Sequence, residues 1–126
     1  MARMTTTVAA TGAALFLAAT PASAGTDVYV ATSDPWDSGT ASFRAYGESV
    51  TVCDNRSDGK RAVAHLIWTD SRASHYERVD DANGSNNGCV TRDFEIGEGI
   101  RVSLQVCLRD GYSGTPQYCT TKRGTA

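Results

Sequence analysis

With 126 residues, 14 acidic side chains against 12 basic ones and a formal charge of −2, the chain has room for one domain. It also lacks the cationic excess that marks a protein made for nucleic acid or for an anionic membrane surface.

In chain order, the first segment is not part of that domain. Arg3 gives the N-terminus a positive charge, an apolar run from Val8 to Ala19 follows, and Thr20-Pro21-Ala22-Ser23-Ala24 ends it with a helix breaker and two small residues at signal-peptidase recognition positions. A charged n-region, short h-region and A-x-A c-region in that order predict a secretory signal peptide over residues 1–24. The run is shorter than the roughly 20 apolar residues of a spanning helix, and Thr11 and Gly12 interrupt it. No cysteine follows to accept a lipid anchor. Cleavage after Ala24 leaves 102 residues, 25–126, and moves the net charge from −2 to −3 by removing Arg3. The mature chain is therefore expected outside the cell, as one domain with no membrane attachment.

The mature region reads as short strands punctuated by turn clusters, with no helix-period segment. Strands are predicted at Thr26–Ala31, at Ser42–Tyr46 and Glu48–Asp54 with Gly47 as a bulge or bend between them, and at Arg61–Thr69 after the cluster Asn55-Arg56-Ser57-Asp58-Gly59. A weak strand covers His75–Val79, then a polar loop runs from Asp80 to Gly88. Cys89–Ile96 and Ile100–Arg109 follow, joined by Gly97-Glu98-Gly99, and the chain closes with Gln117–Arg123. This spacing predicts an all-β fold, a small antiparallel β-sandwich of Ig-like or fibronectin III-like type.

The clearest alternation, Ile100–Arg109, puts Ile100, Val102, Leu104, Val106 and Leu108 on one face and Cys107 on the other. By the same rule Val50 and Val52 point inward and Cys53 outward, while Val90, Phe94 and Ile96 point inward and Cys89 outward. Arg92 falls on the inner face, which requires its strand to lie at an edge. The four cysteines, Cys53, Cys89, Cys107 and Cys119, are even in number in a short exported chain, so two disulfides are expected. No C-x-x-C pair is present to argue for zinc, and no motif points to another cofactor. Cys53, Trp68 and Cys107 are ordered like the Cys…Trp…Cys of an antibody domain, whose bridge crosses the core. Outward cysteines cannot make that bridge. The expected pairs are Cys53–Cys89 and Cys107–Cys119, both within a sheet.

Gly39-Thr40-Ala41-Ser42-Phe43-Arg44-Ala45-Tyr46-Gly47-Glu48, Val52-Cys53-Asp54 and Asp58-Gly59 with Ala62-Val63, followed by a G-x-C strand and a later Cys107-Leu108, resemble a group of small secreted actinobacterial proteins. The resemblance covers most of residues 39–110 and implies no activity. Phe94–Cys107 is similar to the E–F corner of fibronectin type III domains, without the usual Pro and corner Tyr, which implies sandwich architecture only.

Motifs for chemistry are sparse. Asp54–Gly59 resembles the start of an EF-hand loop, but Arg56 and His65 stand where carboxylates are needed, so an Asp-Gly turn is expected. His65 and His75 are the only histidines, and no G-x-S-x-G elbow accompanies them. The expectation is a secreted, monomeric binding protein without enzymatic activity, whose partner is an extracellular protein. The alternatives are an inhibitor of a secreted hydrolase, a carbohydrate-binding module or a small extracellular hydrolase. The candidate binding element is the loop Leu108–Tyr118 closed by Cys107–Cys119, with Arg109 and Tyr112 as anchors.

Overall fold

A computed structural model describes residues 25–126; the predicted signal peptide lies outside them. Eight strands form two four-stranded antiparallel sheets: β1 (Val28–Ala31), β2 (Gly39–Arg44), β3 (Ser49–Asp54) and β6 (Val90–Asp93) in the order β1-β2-β3-β6, and β4 (Arg61–Thr69), β5 (Ser74–Asp81), β7 (Arg101–Arg109) and β8 (Gln117–Thr125) in the order β5-β4-β7-β8. The second sheet has the C′-C-F-G order of an Ig-like sandwich, and β2-β3-β6 corresponds to A-B-E, with β1 added at the edge.

The core lies between the sheets. Phe43, Val50 and Val52 from the first meet Leu66, Leu104 and Val106 from the second, all fully buried. Trp68 closes one end, stacked on His75 with centroids 4.6 Å apart and meeting Phe94 edge-on at 6.1 Å. Arg92 sits on edge strand β6, as its inward phase requires. It lies opposite Val50, pairs with Glu77 at 3.1 Å and donates to the Arg78 carbonyl, so it joins the open edges of the two sheets.

Both expected disulfides are present. Val52 faces Val90, so Cys53 and Cys89 are brought together just beyond that register, with Cα atoms 4.4 Å apart. Cys107 and Cys119 join β7 to β8 at a bulge. Two local expectations gain detail. Of the bulge or bend expected at Gly47 the structure has the bend: with φ +84° it turns the chain between β2 and β3, which pair as a hairpin from Gly39 to Asp54. Cys107 points away from the main core but has 0 % exposure, so an outward side chain here is not a solvated one.

Candidate functional site

What covers Cys107 defines the site. In register, the outer face of the second sheet presents Asp80 beside Val63 and Cys107, then Arg78 beside His65 and Gln105, then Tyr76 beside Ile67, Ser103 and Arg123. Val63, His65 and Cys107 are buried, although none lies between the sheets. The β7–β8 loop supplies the cover. It leaves β7, two strands away from β5, yet Tyr112 reaches Arg78 on β5, so the loop must cross β4.

Arg78 fastens that crossing. Its Nη2 donates to the Tyr112 carbonyl at 2.8 Å, and its guanidinium lies 4.0 Å from the Tyr112 ring centroid. Its Nε and Nη2 also donate to the Asp80 carboxylate at 2.5 and 2.8 Å. Burial disfavours ionisation of Asp80, but the hydrogen bonds from Arg78 and Arg61 outweigh it and hold the carboxyl below the ordinary aspartate range. The bonds that Arg78 donates to Asp80 also raise Arg78 further.

His65 forms the floor beneath Tyr76, the two rings stacked with centroids 4.8 Å apart. Burial, reinforced by the charges of Arg109 and Arg78, pushes its pKa below the ordinary histidine value, so the ring is neutral at pH 7. Its Nδ1 is buried without a protein partner, as is Nε of Arg109.

The two predicted anchors have different surroundings. Tyr112 is 65 % exposed while held by Arg78. Arg109 is half-buried and turned into its own loop, where Nη1 donates to the Gly114 carbonyl at 3.3 Å. Tyr76, 62 % exposed, completes the surface with Arg78. Alternation along β5 carries little sign of this pair. The inward residues of β5 are His75, Glu77, Val79 and Asp81, so only Val79 supplies the apolar half of an alternation. The outward series Tyr76, Arg78, Asp80 was the available signal.

His75 Nε2 and Asp70 Oδ2 are 2.9 Å apart at the rim of an open cleft of about 580 Å³ lined by Glu48, Asp70, Ser71, Arg72, Glu95 and Ile96. No hydroxyl or thiol hydrogen-bonds to that imidazole among the described residues. In the Asp54–Gly59 turn, Asp54 Oδ1 accepts from the Arg56 backbone N–H at 3.2 Å, an Asx turn. Among the described residues no group of three or more His, Cys, Asp or Glu side chains is placed to hold a metal ion, and no helix is long and apolar enough to cross a membrane. The chain matches no protein-family model, no curated protein and no solved structure.

Proposed function

We propose that this chain is a secreted, monomeric binding protein that captures an extracellular protein through the outer face of the β5-β4-β7-β8 sheet, and that it has no enzymatic activity. The observation that carries this is Tyr112: a largely exposed aromatic whose carbonyl and ring are both held by Arg78, on a loop whose feet are joined by Cys107–Cys119. A side chain already fixed before contact loses less conformational freedom on binding. Tyrosine and arginine together are the residues that most often dominate a protein interface. Tyr76, exposed on the same face, extends the contact area.

Export rests on the N-terminal charge, apolar run and A-x-A site, and the two disulfides agree with an oxidising destination. The resemblance to small secreted actinobacterial proteins belongs to the same reading. Inhibition of a secreted hydrolase is its narrower form, since a stapled loop suits insertion into a cleft.

The test is affinity capture from spent culture medium with the purified 25–126 domain. Tyr112→Ala is expected to weaken binding of any captured protein about tenfold or more, and Arg109→Ala to act less, through the loop it supports. Unchanged affinity in a Tyr112→Ala variant that retains both disulfides rules this face out.

A further inference from the structure

The arginines of this acidic chain are not evenly distributed once it folds. Arg61, Arg78, Arg101, Arg109 and Arg123 all stand on the outer face of the second sheet, and Asp80 is the one acidic residue on the strands of that face. Five of the chain's 12 basic residues thus meet one of its 14 acidic ones there. Asp80 is already engaged by Arg61 and Arg78. Arg101 and Arg123 are exposed and form no ion pair among the described residues. Between them runs an open groove of about 310 Å³, whose lining includes Ile67, Thr69 and Ser103.

We infer that this groove docks a short acidic segment of an extracellular protein in extended conformation, its carboxylates held by Arg101 and Arg123. This rests on the reading of the outer face as the binding face, and it names the chemistry of what is bound. Ser103 lies opposite Arg123 in the register, and Arg101 is two residues before Ser103 on β7. The two guanidinium groups therefore stand on a diagonal, with backbone positions about 7–8 Å apart. Alternate side chains of an extended peptide recur at roughly 6.6–6.8 Å, so carboxylates at positions i and i+2 meet both arginines. Each guanidinium offers a planar fork that fits a carboxylate. Half-buried Ile67 gives the groove floor apolar surface, and the Ser103 and Thr69 hydroxyls give it hydrogen-bonding groups.

The net charge selects a short segment over a polyanion. Nucleic acid or a sulfated polysaccharide continues past the patch and meets the negative remainder of the surface, whereas two or three carboxylates fit within the cationic face.

A fluorescent peptide alternating Glu and Ser, with a Gln–Ser peptide as its neutral counterpart, tests this by titration at low and high salt. The Glu–Ser peptide is expected to bind with affinity that falls as salt rises, and the Gln–Ser peptide not to bind. Arg101→Gln with Arg123→Gln should weaken binding at least about tenfold. The charge-matched pair Arg44→Gln on β2 with Arg56→Gln in the β3–β4 turn, away from this groove, should change it less than about twofold. Failure of the Glu–Ser peptide to bind, or equal loss in the two double variants, overturns the inference. So does tighter binding of oligo(dT) or dextran sulfate at equal molar concentration. Tyr112→Ala and the unaltered domain together separate the two readings: loss of partner capture in Tyr112→Ala with peptide binding intact supports both, and partner capture by the unaltered domain without peptide binding removes the acidic segment alone.

Discussion

Asp34 and Asp54 are both buried carboxyls, and their neighbours drive them in opposite directions. Burial resists ionisation of Asp34, but the Ser38 and Thr32 hydroxyls and the Ser38 and Trp36 backbone N–H groups outweigh it, holding the group below its ordinary value. Its folded value is the lower one, so its stabilisation is present above the unfolded value and fades as pH falls through the folded one. Asp34→Ala strands the buried Ser38 hydroxyl, while Thr32 keeps its bonds with Gly39, and is expected to cost about 2 kcal/mol, read as a lowered urea midpoint at pH 7. Asp54 is the reverse case. Burial, with the charges of Asp58 and Asp81 nearby, raises it above the ordinary 3.8 despite the Arg56 N–H. Its contribution is complete below the unfolded value and is lost as pH rises through the raised one. Asp54→Asn keeps an acceptor for that N–H, so it should raise Tm at pH 7, with the gain shrinking toward pH 3 in thermal melts.

At the scale of elements, the two disulfides have different duties. Cys53–Cys89 ties β3 to β6 across 36 residues, and Cys107–Cys119 closes the β7–β8 loop across 12. In the chain-entropy model their closures are worth roughly 4 and 3 kcal/mol, large against the stability of a domain this size. Replacing Cys107 and Cys119 by Ala should remove about that smaller amount and speed hydrogen exchange at the 110–116 amides well before global unfolding. Replacing Cys53 and Cys89 should cost more stability and leave the relative protection of that loop intact, because Arg78 and the second bridge still hold it. Equal loop exchange in the two variants would show that the bridge does not hold the loop.

For the molecule as a whole, closure of the sandwich depends on Gly124. Thr26 and Thr125 exchange backbone hydrogen bonds of 2.8 and 3.2 Å, which brings the chain before β1 onto β8. A Cβ at Gly124 would lie 2.3 Å from a Val28 methyl and 2.6 Å from the Thr26 carbonyl. Gly124→Ala must therefore push the sheets apart along that side, at an expected cost of about 1–3 kcal/mol. Calorimetry should show the loss as a lower Tm for the whole transition, since β1 and β8 belong to different sheets.

The fold was legible wherever burial wrote a period into the chain. Val102, Leu104 and Val106 alternate with outward residues, and that phase alone separated two in-sheet bridges from one through the core. β5 was marked only as a weak strand at His75–Val79, short of its Ser74–Asp81 extent, because its inward positions His75, Glu77 and Asp81 are polar. They are met at a sheet edge by Trp68, Arg92 and the Asp54 backbone N–H. Tyr112 could be singled out from its place inside a stapled loop, but its clamp by Arg78 could not, since the two residues are 34 apart and meet only because the loop crosses β4. The sequence by itself determined the sandwich and the cysteine pairing, because the alternation that sets which way each side chain faces is a local property. The cationic face was decided only by the tertiary structure. Arg61, Arg78, Arg101, Arg109 and Arg123 are scattered through four strands, and strand register, a long-range outcome of packing, gathers them on one side.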